Sequence, residues 1–216
     1  IRDNSNKAIG ISSENVPETR AFVSFSRSFY AAGLAVPEIY AVSNDQRYYL
    51  EEYFGDTTVY DWIVLHREGP DFEAELEMLY MRILTELPRF QIDVSKKIDY
   101  SLCYQSETFG REQMENDANY FAEMFLDLVW KKEYDKDGFK EDCDNLFETL
   151  SQVEPKYFMY RDFQSRNIMI LEDELKFIDY QSGRKGALQY DVASLLYDAK
   201  ARIPQEMRDR LLDHYI

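Results

Sequence analysis

Cysteine and histidine are both scarce in this chain of 216 residues. Cys103 and Cys143 are its only cysteines, too few for a disulfide scaffold or a four-thiolate zinc site, so buried or free thiols are expected. With only His66 and His214, a histidine metal cluster or an acyl-transfer triad is equally disfavoured. Basic charge is short as well: 25 Lys and Arg stand against 41 Asp and Glu, a net charge of −16. Such a chain repels phosphate backbones and anionic bilayers alike, which argues against nucleic-acid and membrane partners. No apolar run approaches the roughly 18 residues of a spanning helix. Ile1 to Lys7 lack the apolar stretch of a secretory signal, so a cytoplasmic location is expected. The eight glycines, at 10, 33, 55, 69, 110, 138, 183 and 186, nowhere gather into a glycine-rich loop.

Apolar and aromatic residues are plentiful. Hydrophobic residues make up 45%, with 14 Phe and 17 Tyr, so a folded chain with a substantial core is expected, as one large or two small domains. Ala8 to Ile11 is a short strand candidate. Pro17 suits the first turn of a helix and Gly33 the position just past its end, with Phe22, Phe25 and Phe29 packing inward between them. Val36 to Val42 and Arg47 to Glu51 read as two strands meeting around Ser43–Asp45. Helices are expected over Thr57–Arg67, Asp71–Phe90, Arg111–Trp130 and Lys140–Val153. In the third, Met114, Ala118, Phe121, Phe125 and Leu128 form one stripe, which reads as core. The polar-aromatic stretch Ile98–Gly110 suits either a substrate pocket or a packed connector. Acidic runs such as Glu133, Asp135 and Asp137 read as solvated faces, with binding of a cationic substrate as the minority reading.

Chemistry concentrates in Tyr157–Asp191, which reads as strand, polar loop, strand, tight turn, strand, loop. Ile168–Leu171 and Leu175–Ile178 flank Glu172-Asp173-Glu174, which suits a three-residue hairpin. Pairing Leu171 with Leu175 sets Asn167 opposite Asp179, and directly opposed Cβ atoms lie roughly 4.5–5.5 Å apart. An amide oxygen and a carboxylate at one end of a hairpin are hard ligands suited to Mg²⁺ in phosphoryl transfer. Asp162, five residues before Asn167, could take a proton from an attacking hydroxyl. The plainer reading is that Asp and Asn are common turn residues.

Arg161-Asp162, then Asn167, then Asp179 after the next strand resembles the catalytic loop and metal-binding Asp of the protein-kinase-like phosphotransferases. Asp162-Phe163-Gln164 followed by Asn167 is more similar to choline kinases and aminoglycoside phosphotransferases than to protein kinases. The R-D-[FY]-x-S-R-N loop of bacterial anomeric amino-sugar kinases, which phosphorylate N-acetylmuramate and N-acetylglucosamine at C1, is present as Arg161–Asn167. Their D-[FY]-Q segment, a glycine and Y-D-[LV]-x-S-L-L are present as Asp179–Gln181, Gly186 and Tyr190–Leu196. The resemblance covers residues 157–198 closely and the rest loosely.

This resemblance implies an α+β, protein-kinase-like two-lobed fold with a truncated small β-lobe (1–54, with the hinge) and a mainly helical large lobe (55–216). It implies an ATP-dependent small-molecule kinase, with a hydroxyl of a small molecule, most favourably an amino sugar's anomeric one, as acceptor. Asp162 is then the catalytic base, and Asn167 and Asp179 hold Mg²⁺. The backbone of Glu51-Glu52-Tyr53 receives the adenine, unless that segment is an ordinary strand end. Arg166 contacts phosphate or sugar, or else makes a surface ion pair. Arg161 gives structural support, and Asp191 caps a helix or braces the loop. Two departures matter: no glycine-rich loop is present, and no Lys lies within Ala8–Ile11 to pair with Glu18. Tyr160 also stands where a histidine is usual. The sequence begins without Met, so a truncated kinase is expected. A non-catalytic nucleotide-binding relative is the alternative, as is a kinase for choline-like or aminoglycoside-like substrates. The oligomeric state is left open.

Overall fold

Asn15 opens the first helix of the computed structural model, which describes residues 7–216. Its side chain accepts the Glu18 amide, and Pro17 occupies the first turn, where no amide partner is needed. Helix α1 runs Val16–Ala31. Gly33, at φ 76°, supplies the left-handed residue just beyond it. Beside α1 lies an antiparallel sheet of β1 (Ala8–Ser12), β2 (Ile39–Val42) and β3 (Tyr48–Glu52) in the order β1-β3-β2, with Ile9 opposite Glu51 and Ile11 opposite Tyr49. Strand β2 starts later than the expected Val36, because Pro37 has no N–H to give a ladder.

The chain then turns helical. Helix α2 (Val59–His66) begins at a reciprocal cap between Thr58 and Asp61. Helix α3 (Phe72–Pro88) continues as a wider π-type turn over Arg89–Asp93. It packs against α7 (Gln205–Tyr215), where Arg210 grips Glu77 at 2.7 Å. Helix α4 (Arg111–Phe121) likewise widens over Ala122–Trp130. Helix α5 (Lys136–Leu150) starts four residues before the expected Lys140, because Asp135 accepts the amides of Asp137 and Gly138 and so caps it there.

One helical stripe is not where its sequence pointed. Phe121, Phe125 and Leu128 are exposed, at 46%, 44% and 57%. Neither α4 nor its continuation buries any residue. Helical periodicity identified an amphipathic face correctly, but periodicity does not say what covers that face.

Strands β4 (Tyr157–Met159) and β7 (Arg184–Gly186) pair antiparallel, as do β5 (Ile168–Leu171) and β6 (Glu174–Phe177). Strand β7 falls in a stretch expected to be loop. It lies flat on β4 because Gly186 has no side chain: a Cβ there would come within 2.7 Å of the Met159 sulfur. Helix α6 (Leu188–Leu196) follows. The core between α1, α3 and these strands is aromatic. Phe29 meets Phe90, Phe158 and Tyr180 edge-on at 5.0–5.2 Å between ring centres. Among the described residues no helix is long and apolar enough to cross a membrane.

Candidate active site

The Arg161–Asn167 loop leaves β4 through a strained backbone. Arg161 sits at φ 83°, a left-handed conformation that costs a non-glycine residue about 1–3 kcal/mol. Asp191 holds it there. Fully buried in the first turn of α6, its carboxylate accepts the amides of Tyr160 and Arg161 and the Gln91 side chain, each at 2.9 Å. It makes no capping bond to α6, so its contacts are those of a brace. Burial pushes the Asp191 carboxyl up to about 6, against the pull of those three donors. Tyr160, in the place of the usual histidine, is fully buried and donates its hydroxyl to the Ile178 carbonyl at 2.6 Å, tying the loop to the hairpin. Arg161 itself turns its guanidinium to Asp117 of α4.

The hairpin register is one residue tighter than expected. Leu171 pairs with Glu174, not Leu175, because Glu172 and Asp173 both take left-handed backbone (φ 51° and 69°) and close a two-residue turn. Two-residue turns with both central residues left-handed match the right-handed twist of the flanking strands, where ordinary type I or II turns would splay them. Asn167 therefore lies opposite Ile178, whose amide reaches the Asn167 carbonyl at 3.1 Å, and Asp179 comes one residue later. Asp179 takes φ 69°, which turns the chain at this point. Asn167 and Asp179 both line one cavity of about 470 Å³.

The donors there suit a hard cation. The Asn167 Nδ2 donates to the Asp162 carbonyl at 2.8 Å, which leaves its Oδ1 for a ligand. Gln181 donates Nε2 to Asp179 Oδ1 at 2.8 Å, so the second carboxylate oxygen remains. One amide and one carboxylate oxygen, with water and phosphate completing the shell, is a set that Mg²⁺ accepts. Among the described residues no group of three or more His, Cys, Asp or Glu could hold a metal. Asp162 is half-buried, and burial together with nearby Asp179 pushes its carboxyl up, while Arg161, the Ser182 hydroxyl and Arg166 pull it down. Arg166 is exposed and forms no ion pair among the described residues.

The cavity also reaches the sheet. Glu51 and Glu52 end β3, and Tyr53 follows. The Glu52 amide donates to Glu38 at 3.0 Å and the Tyr53 amide to Lys7 at 3.4 Å, so both amides are engaged within the sheet. Glu51 lines the cavity together with Tyr49 and Glu18. Lys7 lies over the Tyr53 ring, 5.4 Å from its centre, and Glu18 is held by Asn15 at 2.9 Å. No Lys–Glu18 pair forms among the described residues.

Glu51 is a stability liability that can be measured. Its Oε2 is buried without a hydrogen-bond partner, and burial raises its carboxyl from 4.5 to about 7. The folded state therefore binds a proton that the unfolded state has released, so stability falls as pH rises through that window. Glu51→Gln is expected to stabilise the protein by on the order of 1–3 kcal/mol at about pH 8 and by little at about pH 4.5. Urea midpoints at both pH values check this, and an unchanged pH slope in the variant would refute it.

Several contacts had little or no sequence signal. Gln181 lies two residues after Asp179 and was legible only as part of the Asp179–Gln181 segment, and Ser182 beyond it carried no signal of its own. Asp117 lies 44 residues before Arg161, inside the helix that carries the apolar stripe. Arg184 is buried and bonds the Ser182 carbonyl at 3.0 Å, the Ser106 hydroxyl at 3.2 Å and Gln105, which fastens the loop before α4 to the segment after Asp179. With Cys103 donating to the Gly183 carbonyl, the Ile98–Gly110 stretch is at least a packed connector.

The sequence profile of the family described as "Phosphotransferase enzyme family" matches residues 11–216. An N-acetylmuramate/N-acetylglucosamine kinase of Pseudomonas aeruginosa is 27% identical over 202 residues, covering 92% of this chain and 55% of that protein. A protein of the same name from Neisseria meningitidis serogroup B is 31% identical over 97 residues, covering 42% of this chain and 28% of that protein. The chain thus spans at most about half the length of these relatives. Choline kinase LicA from Streptococcus pneumoniae shares the fold with a TM-score of 0.64 at 11% identity, over 100% of this chain and 69% of that one. The streptomycin–ATP ternary complex of the aminoglycoside phosphotransferase APH(2")-IIa does so with a TM-score of 0.62 at 16% identity, over 100% and 75%. The fold is therefore the mixed α/β, kinase-like one of these structures, and with its profile match over nearly its whole length the chain belongs to the phosphotransferase enzyme family.

Proposed function

We propose that the protein transfers the γ-phosphoryl group of ATP to a hydroxyl of a small molecule, with the anomeric hydroxyl of an amino sugar as the favoured acceptor. The observation that carries this reading is the shared cavity of Asn167 and Asp179, with the Asp162 loop fastened to it through Asn167. In this reading the described residues up to 54 belong to a small lobe ending at the hinge, and 55–216 form the large lobe. Asp162 orients the acceptor hydroxyl and takes its proton, and its upward-shifted carboxyl makes it a better base than an ordinary aspartate. Asn167 and Asp179 are the residues that would hold Mg²⁺, which neutralises charge on the transferring phosphoryl when bound. Of the Glu51–Tyr53 segment, Glu51 lines the cavity and would border the nucleotide, and Arg166, exposed beside the loop, is available to phosphate or sugar. The amino-sugar preference is supported by the names of the curated relatives and by the Arg161–Asn167 and Tyr190–Leu196 motifs.

A coupled assay on the whole protein tests this. ATP consumption is expected with N-acetylglucosamine or N-acetylmuramate, and its loss is expected on chelating Mg²⁺. Phosphorylation of choline or an aminoglycoside, with both amino sugars untouched, would leave only the reaction class standing. Nucleotide binding without turnover on any acceptor would favour a regulatory module. That second reading draws on the lack of a glycine-rich loop in the sequence and of a Lys–Glu18 pair among the described residues, whereas Asp162, Asn167 and Asp179, all present together, speak against it.

A further inference from the structure

A multiply bonded polar contact outside the cavity belongs to Arg161. Its guanidinium forks onto both oxygens of Asp117, at 2.6 and 2.7 Å, and also donates to the Tyr190 hydroxyl. The rings of Phe109 and Tyr190 face it, 4.9 and 5.2 Å away. Arg161 keeps only 17% of its side chain exposed, while Asp117 keeps 43%. Burial opposes the charge on this guanidinium, yet its affinity for a proton is raised, with Asp117 the main cause. A bidentate, half-desolvated fork of this kind is well above the worth of an ordinary surface pair.

The placement of the fork gives it consequences. Arg161 is the residue in left-handed backbone, and Asp162 is the next residue along. A strained peptide persists only where its surroundings over-determine it. Asp191 fixes the Arg161 amide from one side; Asp117 fixes its side chain from the other. Helix α4 buries no residue of its own, so this fork is a principal tether between α4 and the loop.

We propose that Asp117 is a positioning residue: by gripping Arg161 it holds the Arg161–Asp162 peptide in its strained form and makes the aim of Asp162 depend on the docking of α4. This rests on the kinase reading for its catalytic consequence but not for the coupling itself. Asp117 touches neither reacting group and acts through Arg161 alone.

Two variants of the whole protein and two measurements test it. Asp117→Asn keeps the shape and removes the charge that matches the fork; Asp117→Glu keeps the charge. In Asp117→Asn, kcat is expected to fall about tenfold with the KM values for ATP and acceptor nearly unchanged, and Asp117→Glu is expected to recover most of that loss. Independently of any turnover, hydrogen exchange at the Arg161 and Asp162 amides is expected to speed up in Asp117→Asn, with the β5–β6 hairpin unaffected. Unchanged exchange at those amides overturns the proposal, whatever the activity. So does faster exchange with full kcat in an active protein, or a loss that Asp117→Glu does not repair. If exchange responds but the wild-type protein phosphorylates no acceptor, the coupling stands and the kinase reading falls.

Discussion

Asp162→Asn is expected to fold, to bind Mg·ATP almost as the wild type does, and to lose about 10²–10⁴-fold in kcat, the usual contribution of a positioned general base. The substitution is isosteric. The Asn167 amide bonds the Asp162 backbone carbonyl, so the side-chain change leaves that link intact. Burial and the neighbouring Asp179 both disfavour a charge at Asp162, so a neutral amide should leave stability level or slightly improved. Asp179→Asn is the informative contrast, since it removes a charged oxygen from the cavity and should weaken the metal–nucleotide state itself. Thermal shift separates the two, because a ligand at about 100 times its Kd stabilises a protein by roughly 2.7 kcal/mol. The shift should survive in Asp162→Asn and shrink in Asp179→Asn. Full turnover in Asp162→Asn would return the loop to an ordinary turn.

Legibility in the sequence followed the range of the interactions. Helix α1 was readable because Pro17, three phenylalanines and Gly33 are all local signals. The hairpin was readable as a hairpin, but its register was not. Choosing between two and three turn residues depends on whether Glu172 and Asp173 accept left-handed backbone, and neither is a glycine. Asn167 and Asp179 were nonetheless placed near one another, since a shift of one position along a strand still leaves both at the same end. What was not readable lay across the chain. The Asp117 fork, the Gln91–Asp191 bond and the pairing of β7 with β4 join segments tens of residues apart, and no periodicity encodes them. The stripe on α4 failed for a related reason: amphipathicity states that a face is apolar, not that this chain covers it.

Asp191→Ala is expected to cost about 2–4 kcal/mol, a large share of the roughly 5–15 kcal/mol that a domain commonly has. The substitution strands the amides of Tyr160 and Arg161, while the Gln91 side chain keeps its bond to the Leu188 carbonyl, and each donor left unpaired costs about 1–3 kcal/mol. Part of this is returned at neutral pH. The Asp191 carboxyl is raised from 3.8 to about 6, so the folded state holds its proton longer than the unfolded chain does, and the wild type loses stability as pH climbs between those values. Removing the carboxyl removes that slope. The difference between wild type and variant should therefore be larger near about pH 4 than near about pH 7.5, the opposite of what a surface salt-bridge carboxylate would give. Asp191→Asn should fall between the two, because its amide keeps one acceptor oxygen and turns an NH₂ toward a donor. Turnover should collapse in the alanine variant beyond its loss of folded protein, since the left-handed Arg161 peptide then has no acceptor for its amide. Urea melts at both pH values, paired with kcat per folded molecule, check each step. An alanine variant as stable as wild type at the acidic pH, with kcat intact, would mean that the loop keeps its shape without this brace.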